Sequence, residues 1–269
     1  MSDSHRWQEA QQYESMFWKH AAERIDSGHA EGLHWYRWRA EELVKRLNRL
    51  QLQRLTSGQA KVIEIGSGPV GLCTFFPGTE RMAIDPLMDT FSQHAEFTSI
   101  RSPDVNYLQA MGEQLPCPTA HYDLAIIENC IDHTQDIDGV MSELDRVLKP
   151  NGVLYLTVNS RSRIGYYIHR ILSRTKIDRG HPHTFTPNRT IDLVRRSGFQ
   201  PTEVEVGSYL EASIADLKSG KLRDMAKALL GVSEYLVSII AEHQPAGGAS
   251  PSIHHTSQWD SKRAADTVE

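Results

Sequence analysis

Between residues 33 and 55, Leu33, Tyr36, Ala40, Leu43, Leu47 and Leu50 recur at offsets of three and four, with Arg37, Glu41, Lys45, Arg46 and Arg49 between them. That spacing stacks the apolar side chains on one face of a helix and leaves the charged ones on the other. "TSG" at 56–58 ends the run. An earlier helix is predicted over about 7–24, where Trp7, Tyr13, Phe17 and Trp18 carry too much apolar area to stand in water. These rings either pack on a main domain or line a ligand pocket.

After Gly58 the pattern changes to short β-rich runs: "KVIEI" (61–65), "RMAID" (81–85), "VNYLQA" (105–110), "DLAII" (123–127) and "GVLYLTV" (152–158). They are apolar on both faces, as parallel strands covered by helices on each side must be. Helical candidates at about 69–76, 86–96 and 138–148 separate them, so the alternation predicts a doubly wound α/β sheet. Residues 160–187 form an insertion rich in Arg, His, Tyr and Ser. A helix at about 188–197, a sixth strand "PTEVEV" (201–206), a helix at about 221–230 and a seventh strand within "EYLVSIIAEH" (234–243) follow. The expected plan is a helical cap over 1–57, one α/β domain over 58–244, and a disordered Gly-, Pro- and Ser-rich tail over 245–269.

The chain has 269 residues, 39% of them hydrophobic and 23% charged, and its mean hydropathy is −0.45. These values suit a soluble globular protein, large enough for one α/β domain with additions. No apolar run reaches the roughly 18 residues of a spanning helix, and the polar, aromatic start lacks the regions of an export signal. A cytoplasmic protein without a membrane partner is therefore expected. A formal net charge of −5 gives no general attraction to nucleic acid. Arg161, Arg163, Arg170 and Arg174 read as solvated surface beside a loop. Cys73, Cys117 and Cys130 lack CxxC spacing, so they read as reduced thiols rather than bridges or zinc ligands.

"VIEIGSGPVG" (62–71) lies where the first strand turns into the first helical candidate. Gly66, Gly68 and Gly71 match GxGxxG, whose glycines permit a tight turn and close approach of a ligand to the backbone. Asp85 ends the second strand nineteen residues after Gly66, the spacing that sets a carboxylate against ribose hydroxyls. Together they indicate an adenosine-containing ligand. Glu64 would repel a pyrophosphate and fits a cationic ligand, such as a sulfonium or ammonium, better.

"VIEIGSGPVG", "AIDP", "GEQLPCP", "YDLAIIENCIDHTQD" and "ELDRVLKPNGVLYLTV" follow one another as the motifs do in class I S-adenosylmethionine-dependent methyltransferases of the small-molecule type. The resemblance covers about residues 60–206. It implies a Rossmann-like, seven-stranded, mostly parallel sheet with an N-terminal helical cap, and S-adenosylmethionine as cofactor. By the same resemblance Glu64, Gly66, Ser67 and Gly68 would surround the methionine part and Asp85 would hold the ribose. Met111, Gly112 and Glu113 would flank adenine. Many relatives carry Asp where Met111 stands, so either Glu113 or backbone groups bind the adenine amino group, or Met111 packs on the ring.

Ligands of open parallel sheets sit beyond the carboxyl ends of the strands, which places "ENCIDHTQD" (128–136) beside the reacting methyl group. Glu128, Asn129, Asp132 and His133 are the first candidates there, Glu128 and Asn129 as cofactor contacts. His133 is the candidate general base, because imidazole titrates near neutrality; orienting the loop is its other reading. The resemblance makes "RGHPHTFTP" (179–187), with His181 and His183, an acceptor-side segment, and no metal is expected because ligand-spaced partners are absent. Tyr13 and Trp18 are candidates for an acceptor-covering lid.

The expected reaction is methyl transfer to a small-molecule acceptor, with oxygen slightly favoured. No Asn/Asp-Pro-Pro-Tyr sequence stands where "ENCI" follows the fourth strand, which argues against exocyclic base amines. A nicotinamide-dependent dehydrogenase is the rival enzyme, disfavoured by Glu64 and "LKPNG". A non-catalytic adenosyl-ligand-binding protein is the rival from another class.

Overall fold

The computed structural model describes residues 3–26, 33–172, 182–244 and 254–255. Two helices lead, α1 (Asp3–Asp26) and α2 (His34–Arg49). They are followed by β1 (Lys61–Ile65), β2 (Glu80–Asp85), α3 (Met88–Phe91), α4 (Ala95–Thr98), β3 (Val105–Gln109), β4 (Tyr122–Glu128), α5 (Ile137–Val147) and β5 (Leu148–Ser160). Then come α6 (Arg163–Leu172), α7 (Pro187–Arg196), β6 (Phe199–Val206), α8 (Tyr209–Lys218), α9 (Leu222–Leu229), β7 (Tyr235–His243) and β8 (His254–His255).

The strands form one sheet in the order β3-β2-β1-β4-β5-β7-β6-β8. β1 to β5 are parallel to their neighbours, whereas β7 runs antiparallel to both β5 and β6. The order reverses beside β1, so β1 and β4 open a crevice at their carboxyl ends. The seven principal strands match the predicted fold class. The two-residue β8 pairs parallel with β6 at Glu203↔His254 and Val204↔His255, within the segment expected to be a disordered tail.

Alternation along the strands builds two cores. Ile63, Ile65, Ala125 and Ile127 enter the layer that contains Val140, Leu144 and Leu193 of α5 and α7. Val62, Leu124 and Ile126 enter the opposite layer with Tyr36, Leu43 and Leu47 of α2. Each strand is thus apolar on both sides because each side meets helices. About 1.5–3 kcal/mol for each fully buried Leu, Ile or Val makes these layers the main source of stability.

Four expectations change. The helix predicted at 69–76 is a loop closed by a single 3-10 turn, Leu72–Thr74. The segment predicted as a helix over 86–96 is split into α3 and α4, with a break at Gln93–His94. The insertion over 160–187 contains α6, and a further helix, α8, precedes the predicted α9. Finally Arg46, assigned to the solvated face of α2, is 1% exposed. Its Nε donates to Glu203 Oε1 at 2.7 Å and its Nη1 to Ser238 Oγ at 2.6 Å, with Glu205 Oε2 3.3 Å away. Arg49 of the next turn also donates to Glu203, at 2.6 Å. α2 is therefore pinned to β6 and β7 by an ion cluster, which compensates the burial of its charges.

Candidate active site

Gly66 and Gly68 both have positive φ, +65° and +61°. A Cβ on Gly66 would lie 2.3 Å from Cys130 Sγ, and one on Gly68 would lie 2.6 Å from Tyr36 Oη. The turn therefore needs glycine both for its backbone conformation and because other side chains occupy the space above it. Glu64 sits beneath it, 1% exposed. Its Oε1 accepts from Leu72 N at 2.9 Å and its Oε2 from Cys73 N at 2.8 Å. The carboxyl group thus caps the 3-10 turn, supplying the acceptors that the predicted helix would have supplied itself. Burial pushes its pKa up to about 7, against the two N–H groups that favour the anion and with a further push from Glu128.

Asp85 reaches back from the end of β2. Its Oδ2 accepts from Gly68 N at 2.9 Å and its Oδ1 from Leu87 N at 2.8 Å. Burial raises its pKa to about 6; Leu87 and Gly68 N–H oppose this, Glu14 adds to it, and His133 counters it. Gly112 is pressed between β1 and α5, where a Cβ would come within 2.9 Å of Ile65 and 3.3 Å of Val140. Glu113 accepts through Oε1 from Gln135 N at 2.8 Å and Asp136 N at 3.0 Å, so its carboxylate fastens the segment that leads into α5. Met111 is half-buried beside it, and Ser67 is buried within the glycine turn.

The end of β4 carries the densest polar group. Asn129 adopts φ +50°, a left-handed conformation that asparagine tolerates better than most residues other than glycine. It is held there because its N–H donates to Thr157 Oγ1 at 2.9 Å and its Oδ1 accepts from Asn159 N at 2.9 Å. Glu128, 8% exposed, pairs through Oε1 with Arg39 Nε of α2 at 3.3 Å. Its other oxygen is buried without a hydrogen-bond partner. Cys130 Sγ donates to Ile65 O at 3.0 Å, and burial raises its thiol pKa. His133 follows in the 3-10 turn Ile131–His133, its Nε2 3.8 Å from Asp132 Oδ1.

Trp18 of α1 stands over the same turn, its ring 3.4 Å from the Cβ position of Gly68. It is wedged edge-on against Phe91 and Phe97 at 6.0 and 6.1 Å, and its Nε1 donates to Glu14 at 2.9 Å. Tyr13 is 48% exposed and is not brought to this cluster. His183 docks on the segment after β4, with its N–H on Asp132 O at 3.2 Å and its Nε2 2.8 Å from Thr134 O. His181 lies outside the described residues. Among the described residues no group of three or more His, Cys, Asp or Glu side chains is gathered for a metal ion.

The sequence pattern gives Tyr36 only a place on the apolar face of α2 and gives Arg39 no role at the site. Both lie on the helical period of α2, where a tyrosine reads as core and an arginine as solvated face. Tyr36 is 2% exposed, and burial together with Glu64 and Asp85 raises its hydroxyl pKa well above the ordinary value.

A doubly wound sheet in this strand order, with a glycine turn, a β2-terminal carboxyl and a polar β4 end on one edge, defines the class I methyltransferase architecture. Residues 63–156 match the family model described as a methyltransferase domain. A curated relative, ubiquinone biosynthesis O-methyltransferase of Rickettsia akari (strain Hartford), is 22% identical over 190 residues, covering 70% of this chain and 72% of its own. Among solved structures, geranyl diphosphate C-methyltransferase from Streptomyces coelicolor A3(2) aligns with TM-score 0.53 at 13% identity, covering 77% of this chain and 85% of the other. YcgJ protein from Bacillus subtilis aligns with TM-score 0.52 at 14% identity, covering 70% and 94%. The matched domain and this fold together support a class I S-adenosylmethionine-dependent methyltransferase.

Proposed function

We propose that the chain transfers a methyl group from S-adenosylmethionine to a small-molecule acceptor, with oxygen as the favoured nucleophile. The observation that carries the donor site is the glycine turn itself: Gly66 and Gly68 hold positive φ, with Cys130, Tyr36 and Trp18 gathered closely around them. Asp85, bonded to Gly68 N, stands at its rim. In this reading Ser67 and the two glycines receive the methionine part and Asp85 the ribose hydroxyls. Met111 and Gly112 line the adenine side, with Glu113 holding the adjoining loop. Glu64 acts from below by fixing the turn, and Glu128 and Asn129 define the wall toward the acceptor.

The donor supplies an electrophilic methyl group on a sulfonium, which leaves as a neutral thioether. The protein's contribution is then orientation and exclusion of water rather than charge creation. Trp18 and Tyr36 cover the turn from the cap side, and His183 anchors the acceptor-side segment to the loop bearing His133. His133 removes the acceptor's proton as its oxygen attacks, with Asp132 beside the imidazole to stabilise the cation. The preference for oxygen rests on the curated relative, which is named as an O-methyltransferase.

Calorimetry with S-adenosylmethionine and with a reduced nicotinamide dinucleotide tests the donor, using wild type and Asp85→Ala. Binding of the sulfonium compound alone, weakened at least about tenfold by loss of the carboxyl contacts, supports the reading. Binding of the dinucleotide instead refutes it. Methyl-labelled donor incubated with cell extract then identifies the acceptor.

A further inference from the structure

Twelve large apolar side chains are strongly exposed among the described residues, and nine of them lie on α6, α8 and α9 or the residue closing α9. On α6, Ile164, Tyr167 and Ile171 stand 72%, 65% and 67% exposed, at offsets of three and four on one face. On α8, Leu210, Ile214 and Leu217 repeat the pattern. On α9, Leu222 and Leu229 reach 85% and 78%. Neither α8 nor α9 contains a buried residue, so the two helices form a projecting hairpin whose apolar side chains have no role in the cores. Apolar area of this extent on a soluble chain marks a surface made to be covered.

Topology brings the three helices together. α6 follows the carboxyl end of β5, and the hairpin joins the carboxyl end of β6 to the start of antiparallel β7. A Cβ on Gly165 of α6 would lie 2.6 Å from Gly231 O, just past α9. Arg161 before α6 pairs with Glu234 before β7. The surface therefore stands on the sheet edge that also carries Gly68, Asp85 and Asn129.

Its charge decides what covers it. The hairpin tip "LKSGKLR" (217–223) carries Lys218, Lys221 and Arg223 between the flanking Asp216 and Asp224, and α6 carries Arg163 and Arg170 with no acid, so the three helices together are net positive on a chain of net charge −5. Lys218, Lys221 and Arg223 are all exposed. In an isologous dimer built on this tip the cations would face their own copies, which is repulsive. Anionic headgroups above an acyl layer satisfy both features at once, the cations in the headgroup plane and the leucines below it. We propose that α6 and the α8–α9 hairpin dock the enzyme on an anionic phospholipid bilayer, with the active-site edge turned to the lipid. The contact is peripheral, since no helix among the described residues is long and apolar enough to cross a membrane. It does not depend on the identity of the acceptor.

The test is co-sedimentation of the full chain with vesicles of phosphatidylcholine alone and of phosphatidylcholine with phosphatidylglycerol. The expected result is binding to the anionic vesicles that falls as salt is raised. Leu217→Glu/Leu222→Glu should lower the partition coefficient at least about tenfold, and Lys218→Glu/Lys221→Glu/Arg223→Glu should lower it by at least about tenfold as well. Thermal melting should be unchanged in both variants, because neither helix contributes a buried residue. Failure of the wild type to bind either vesicle overturns the proposal, as does binding that ignores lipid charge. A solution dimer dissolved by Leu222→Glu, without vesicle binding, would assign the face to a second copy of the chain instead.

Discussion

Glu64→Gln tests how the glycine turn is held. Two effects compete at this carboxyl group: burial disfavours the charge, and two backbone N–H groups favour it. Burial wins, leaving a folded-state pKa of about 7 against an ordinary 4.5. A raised acid pKa means that the folded state holds the proton over the interval where the unfolded chain has released it. Glu64 therefore contributes its stability below about pH 4.5, and that contribution is lost as pH rises through 7. Linkage between those two values gives a loss of about 2.5 kcal/mol between pH 5 and pH 8.

Gln cannot titrate, so the variant lacks this slope, while Asp85, with its own raised pKa of about 6, contributes to both proteins and cancels. Denaturant unfolding of wild type and Glu64→Gln at pH 5, 6.5 and 8 should show wild type losing ground to the variant by about 2.5 kcal/mol across the range. Superimposed on this is a constant cost of about 1–3 kcal/mol, because the glutamine amide offers one acceptor where Leu72 N and Cys73 N need two. Parallel curves would refute the assignment. A wild type that gains on the variant as pH rises would show that the N–H pair outweighs burial.

Gly68→Ala should cost more than tenfold in S-adenosylmethionine affinity by calorimetry, since φ +61° is strained for alanine and its Cβ would meet Tyr36 Oη at 2.6 Å; undiminished affinity would move the donor elsewhere. Arg46→Ala should destabilise the fold by about 3–5 kcal/mol in chemical denaturation, because Glu203 loses its buried cation; a loss below about 1 kcal/mol would mean that the exposed Arg49 alone suffices. His133→Ala should reduce kcat by about a hundredfold or more without changing donor affinity, and turnover intact at saturating acceptor would remove it as the base.

The strands were readable because their burial is unconditional. "KVIEI" and "DLAII" are apolar at successive positions, and only a sheet covered on both faces uses such runs. The pairing of Gly66 with Asp85 was readable for a different reason: both lie on adjacent strand ends, so their sequence spacing fixes their spatial one. The structure brings them together through Gly68 N on Asp85 Oδ2.

What the sequence concealed depends on partners far along the chain. Arg46 meets Glu203, 157 residues away, and no local pattern distinguishes a charge bound for such a partner from one bound for water. Glu64 shows the opposite confusion. Its position before the glycines read as an invitation to a cationic ligand, yet both oxygens are engaged by N–H groups eight and nine residues on. A carboxyl group in that place is needed by the loop before it can serve any ligand: Leu72 and Cys73 begin a single 3-10 turn whose N–H groups have no intrahelical acceptor. The predicted helix at 69–76 failed for the same reason. Once a side chain from the preceding strand satisfies those donors, the chain can remain a short turn instead of a helix, and that turn is what keeps the backbone N–H of Gly68 on Asp85 at the crevice.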